Sequence, residues 1–310
     1  MNIRLTESKR SFGVSYLLLL ASVFIWALNY IVRQILLQEF SPFFLSALSL
    51  TVVSCIFIAG SFMTKSLVSV TRKELLLLLL SAVVGLIANQ IFLYQGLQRT
   101  SATNASLLFT LSPLMTAGLA ALFLKETITW RMIAGCLIAM AGLYQALNMT
   151  EFKLQLGDWL ILGATFTFSC NLIFVRMLSR RLTPFQVTAY SFAVSCLLYD
   201  PFIVFFSKMQ WHHSFSIWAL AIISILVAQG LTNVMWNKGM AAVGAAQAAI
   251  VLNLQPMMTI LLDFLLLGHI VTNKQIVGVL FVFVGVLLGT MHKRKHMTRP
   301  EPPANRKIQA

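Results

Sequence analysis

Asn89, Gln90 and Tyr94 stand within about one and a half helical turns of one another in an otherwise apolar stretch. Trp26, Asn29 and Tyr30 form a similar group nearer the start. Further on, Asn104 and Thr110, then Asn171, then Gln229, Asn233 and Trp236, then Asn253 and Gln255 interrupt apolar sequence in the same way. Amides, hydroxyls and rings of this kind can hold a small polar solute by hydrogen bonds and stacking. They can equally bond helix to helix, and both uses stay open for any single residue. They do not make or break covalent bonds unaided, since that chemistry wants paired acids, a metal cluster or a nucleophile beside a base. The five histidines, His212, His213, His269, His292 and His296, fall near the ends of apolar stretches or in loops. Cys55, Cys136, Cys170 and Cys196 lie inside apolar stretches without metal-ligand spacing. No enzyme activity, cofactor or metal is expected.

Such residues need apolar elements around them, and the chain is mostly that. Of its 310 residues 58% are hydrophobic and 10% charged, where a soluble domain carries about 25% charge. A span needs roughly 20 apolar residues. Ten stretches qualify, near 13–36, 42–63, 75–97, 101–123, 128–147, 157–178, 184–206, 215–237, 243–267 and 272–291. The net charge of +14 does not point to nucleic acid, because lysine and arginine sit at the ends of these stretches. With both termini cytoplasmic, 18 basic residues fall inside and 5 outside, Arg33 being counted among the outer ones. The partners expected are the lipid bilayer of a cell membrane, crossed many times, and a small-molecule solute, with a homodimer left open.

The chain also repeats itself at an offset of 143 residues. Pro113 matches Pro256, Gly96 matches Gly239, and Gly135 and Gly142 match Gly278 and Gly285. This divides the chain into an N-terminal segment 1–12, a first repeat 13–147, an external linker 148–156, a second repeat 157–291 and a basic tail 292–310 expected to be disordered. The fold class is all-α, with ten transmembrane helices in two inverted five-helix repeats, since five crossings per half reverse the second half. The polar groups fall on helices 1, 3 and 4 and on their counterparts 6, 8 and 9. That pattern suits a cavity between the halves. Pro113 and Pro256 are expected to kink their helices at a gate. The paired glycines are read as close-packing positions. Asp263 is read as the acid well inside a span and a candidate for proton coupling.

Several motifs carry a resemblance. Gln95-Gly-Leu-Gln-Arg-Thr-Ser-Ala-Thr-Asn-Ala-Ser106, Leu111-Ser-Pro-Leu-Met115, Leu124-Lys-Glu126 and Gly135 to Gly142 follow one another in the first half. Gly239-Met-Ala-Ala242, Leu254-Gln-Pro256, Leu267-Gly268 and Gly278 to Gly285 echo them. With Trp26 and Asn29 in helix 1, this order resembles the ten-helix EamA branch of the drug/metabolite transporters, over residues 13–291. The resemblance implies export or exchange of small metabolites and leaves the substrate open. Two departures stand out. His269 occupies a place where the family often has glutamate, and Ser49 lies near a family arginine in the second helix.

The expected function is therefore secondary transport by alternating access, with an amino acid or derivative as the favoured cargo. The candidate cavity shows no obvious basic residue, which disfavours sugar phosphates. The alternatives are a non-transporting scaffold or channel and, less well supported, a membrane-embedded enzyme.

Overall fold

The computed structural model describes residues 2–124, 130–146, 154–206, 211–232, 235–236, 238–239, 251–252 and 254–290. Ten helical segments are seen among them. We number them α1 (Asn2–Glu39), α2 (Pro42–Met63), α3 (Arg72–Leu97), α4 (Ala102–Leu124), α5 (Trp130–Ala146), α6 (Leu156–Leu178), α7 (Pro184–Phe206), α8 (Phe215–Leu231), α9 (Gln255–Leu267) and α10 (Asn273–Thr290). Six are long and apolar enough to cross a bilayer, and α5, α8, α9 and α10 are shorter apolar helices. The chain is an all-α, multi-pass membrane protein. In hydrocarbon every backbone amide must be paired within its own segment, and helices do this.

Local chemistry sets the helix starts. Ser41 caps α2 by accepting from the Phe44 amide, with Pro42 in the first turn where its missing N–H costs little. Thr71 and Glu74 form a capping box at α3, and Gln155 and Asp158 form one at α6. Ser214 caps α8 through the Ile217 amide. Helix α1 begins at Asn2, well before the expected residue 13, because neither glycine nor proline interrupts residues 2–12. The expected tail 292–310, the turn at Lys125-Glu126 and the linker residues 147–153 lie outside the described residues, as does much of the expected ninth span.

The repeat is visible as matching breaks in the backbone. Helix α3 is π-helical over Ser81–Ala88, and α8 is π-helical over Leu226–Leu231. The two stretches end at positions related by the 143-residue offset. Helix α4 stops at Phe109 and restarts at Ser112, and α9 starts at Gln255, again 143 residues later. Pro113 and Pro256 occupy the second position of these restarted halves. The sequence suggested prolines kinking a continuous helix. In the structure α4 is interrupted instead, and each proline sits where no intrahelical N–H bond is required.

Packing follows the same symmetry. Helices α5 and α10 lie backbone to backbone. A Cβ built on Gly278 would fall 2.4 Å from the Ala146 nitrogen and 2.5 Å from the Gly142 oxygen. One on Gly285 would fall 2.5 Å from the Ala139 nitrogen. Lipid offers no hydrophobic drive between helices, so close approach of small residues is what holds such a pair. The largest buried cluster, including Ile31, Leu36, Phe40, Phe44, Leu97, Leu107 and Ile161, gathers toward the end that carries the α1–α2 turn.

Candidate functional site

Trp26, Asn29, Tyr30 and Arg33 recur at spacings of three and four along α1 and so share one face. That face points into the bundle. Asn29 and Tyr30 are each 7% exposed. The Trp26 indole donates to the Ala228 carbonyl of α8 at 3.0 Å and packs on Trp236, ring centres 5.2 Å apart. The Ala228 carbonyl lies in the π-helical stretch, whose loosened ladder leaves it accessible to a side-chain donor. Tyr30 meets Phe109 edge to face, just before the break in α4.

On α3, three neighbouring polar residues behave differently. Asn89 donates to the Ala164 carbonyl of α6 at 2.7 Å and to Thr167 at 3.3 Å. It is a helix-to-helix bond. Gln90, the next residue, is 6% exposed, and its Oε1 has no hydrogen-bond partner among the described residues. Tyr94, one turn further on the face of Gln90, is 1% exposed and shares a hydrogen bond with Ser49 of α2 at 2.8 Å. The Arg33 guanidinium lies over the Tyr94 ring, 5.2 Å from its centre. Arg33 thus belongs to the interior of α1, six residues before its end, and not to an outer loop. Spacing from Asn29 and Tyr30 was the signal that could have found it.

Asn171 accepts from Ser81 at 2.6 Å and lies against Gly85, locking α6 to the π-helical part of α3. Asn104 sits in the first turn of α4 and reaches back to Thr100 at 3.4 Å. Thr110 donates to the Leu107 carbonyl at the break. Gln255 opens α9 in a half-buried position, and Gln229 lies in the π-helical stretch of α8. Asn233 and Asn253 lie outside the described residues, as do Asn237 and Gln247.

Two acids tie down the start of α4. Thr100 donates to Asp158 at 2.8 Å, and Thr103 donates to Asp263 at 2.8 Å. Asp263 is 5% exposed and has His269 Nδ1 at 3.1 Å from its other oxygen. A further acid escaped the sequence reading. Asp200, in α7, accepts from Thr51 of α2 at 2.6 Å and from Cys196 at 2.9 Å. Its Oδ1 is buried without a partner among the described residues. The signal was plain, an acid six residues before the end of an apolar span.

Each end of the bundle carries a bridge between the halves. At the α2–α3 end, Arg181 binds Glu74 at 2.5 Å and the Ser69 carbonyl at 2.6 Å. Gln186 donates to the Ser66 carbonyl at 2.6 Å, and Tyr190 both donates to and accepts from Val68. The hydrogen bonds to Glu74 hold the Arg181 guanidinium above its usual range. At the α1–α2 end the bridge is aromatic. Phe40 and Phe44 pack on Trp218 at 5.2 and 5.9 Å, Trp211 lies 5.5 Å from Phe44, and His213 lies 3.4 Å from Glu39. An open apolar groove of about 620 Å³ beside Met140, Tyr144, Val277 and Phe281 lies away from all of these polar groups.

The EamA-like transporter family model matches residues 13–147 and again 155–291. The chain belongs to that family. An uncharacterized transporter, YyaM, of Bacillus subtilis (strain 168) is 23% identical over 74% of this chain and 78% of its own. A probable terminal-alkyne amino-acid exporter of Streptantibioticus cattleyicolor is 25% identical over the same shares. An S-adenosylmethionine/S-adenosylhomocysteine transporter of Chlamydia trachomatis serovar L2 is 22% identical over 56% of this chain and 55% of its own. A solved crystal structure superposes with a TM-score of 0.62 at 17% identity, over 91% of this chain and 96% of that one, a likeness of fold. A member of the EamA-like family is a membrane transporter in class, and small-molecule solute handling follows from it.

Proposed function

We propose that this EamA-like protein is a secondary transporter that exports or exchanges a small zwitterionic metabolite, an amino acid or a derivative, by alternating access. The observation that carries this reading is the pairing of backbone breaks. Both halves loosen a helix beside the central polar groups, at Ser81–Ala88 and Leu226–Leu231, and both restart one beside a proline. Breaks of this kind free carbonyls for a solute and allow one half to move against the other. Trp26, Asn29, Tyr30, Gln90 and Tyr94 would line the path, with Gln229, Asn233, Trp236, Asn253 and Gln255 contributing from the second half. Pro113 and Pro256 would mark the moving joints. The relatives named for an amino acid and for S-adenosylmethionine support the cargo class. The count of lysines and arginines supports a cytoplasmic position for both termini and for the α2–α3 bridge.

The test is uptake of a labelled metabolite panel by sealed liposomes holding the purified protein, with and without a proton gradient. Wild type moves an amino acid, and Asn233→Ala, at a site counterpart of Gln90, loses that transport while remaining folded. A folded wild-type protein that moves nothing in the panel overturns the reading.

A further inference from the structure

We propose that Arg33 and Gln90 form the two poles of a zwitterion site, the guanidinium taking the carboxylate of the solute and the Gln90 carboxamide oxygen taking its ammonium. This deepens the transport reading and rests on it. Arg33 is the relevant cation because of where it lies and what it lacks. It sits within the apolar part of α1, on the face shared by Trp26, Asn29 and Tyr30. A guanidinium there needs either an anion or a cavity. Among the described residues no carboxylate lies within ion-pair distance of it, since the ion pairs there join Arg181 with Glu74, His213 with Glu39 and His269 with Asp263. It lies over the face of Tyr94 and within electrostatic reach of Tyr30. Ring stacking fixes the plane of the guanidinium without neutralising it, and leaves its N–H edges for a planar, two-oxygen acceptor. A carboxylate has that shape.

Gln90 supplies the second observation independently. It is more than nine-tenths buried, and its oxygen has no donor among the described residues. A buried acceptor left alone is expensive, so the position is built for a donor that arrives with a ligand. Gln90 lies four residues, about 6 Å, along α3 from Tyr94, which carries Arg33 on its ring. A cation-accepting oxygen thus stands about one turn of α3 from the ring that carries an anion-accepting guanidinium. A hydrogen bond shared with Ser49 anchors the Tyr94 hydroxyl, so the ring is held in place as a platform. A neutral solute would leave Arg33 unpaired, and a phosphate would leave the Gln90 oxygen facing another acceptor.

The test compares two probes on the detergent-solubilised protein by thermal shift. One is a mixture of the protein amino acids, and the other is the mixture of their α-carboxamides, which keep the ammonium and lose the carboxylate. The amino acids raise the melting temperature of wild type and the amides do not. In Arg33→Gln the apparent affinity for the amino-acid mixture falls about ten- to a hundredfold, as loss of a charge-assisted bond predicts, and Arg33→Lys recovers part of it. Equal stabilisation by amides and acids in wild type overturns the proposal without any variant having to fold. No shift from either probe also overturns it, and the liposome panel then decides on transport separately. An unchanged affinity in Arg33→Gln overturns the part given to Arg33.

Discussion

Arg181 of the second repeat holds Glu74 of the first at 2.5 Å, so the two halves are latched together across 107 positions of sequence. Arg181 is largely exposed and Glu74 partly covered, and ion pairs this near the surface add little to stability. Its effect should be on access. Glu74→Gln removes the charge and one of the two acceptor oxygens, leaving Arg181 with a neutral hydrogen bond and the Ser69 carbonyl. We expect little change in melting temperature and a faster reaction of a water-soluble maleimide with a cysteine placed at Thr167. An unchanged labelling rate would show that this bridge is not a gate.

Asn89 and Gln90 test the division between amides that bond helix to helix and those proposed to meet the solute. Asn89→Ala removes bonds to Ala164 and Thr167, which on average costs about 0.6 kcal/mol per interhelical bond. Transport should survive, with a slightly lower melting temperature. Gln90→Ala removes an oxygen without a partner among the described residues, so the melting temperature should hold while transport falls at least about tenfold. The two variants measured side by side, by thermal melt and liposome uptake, check this; the reverse pattern would exchange the roles.

That contrast also shows how much could be read from the sequence. Ten spans and the repeat were legible because hydropathy and the spacing of Pro113 with Pro256 are local or periodic signals. The polar positions on helices 1, 3, 4, 6, 8 and 9 were legible as interruptions of apolar sequence. Their individual roles were not, because Asn89 and Gln90 are chemically alike and differ only in which neighbour each faces. The π-helical stretch Ser81–Ala88 contains no proline and could not be told from ordinary helix. Arg33 looked like a topology signal because its partner, Tyr94, lies 61 residues away.

The α5–α10 contact sets a stability prediction. Gly278→Ala places a carbon within 2.5 Å of the backbone of Gly142 and Ala146, atoms that cannot rotate away. The helices must separate, at a cost of about 1 to 3 kcal/mol for overpacking. The melting temperature should drop and the residual transport rate per folded molecule should stay close to wild type. Gly230→Ala, where an added carbon meets nothing within 4 Å, is the control and should melt like wild type apart from any local helix effect.

The proposal that Asp263 couples a proton to movement of α4 can be tested directly. It receives Thr103 from the first turn of that helix and faces His269, whose ring is largely exposed. The exposed ring offers a proton a route to a carboxylate that is itself buried. Asp263→Asn keeps the size of the group and can still accept from Thr103, so the start of α4 should stay in place. We expect exchange of labelled for unlabelled solute to continue at near wild-type rate, while accumulation driven by an imposed proton gradient is lost. Loss of both in a folded protein would make Asp263 a structural anchor of α4, and retention of both would move the coupling role to Asp200 of α7, whose Oδ1 is buried without a partner among the described residues.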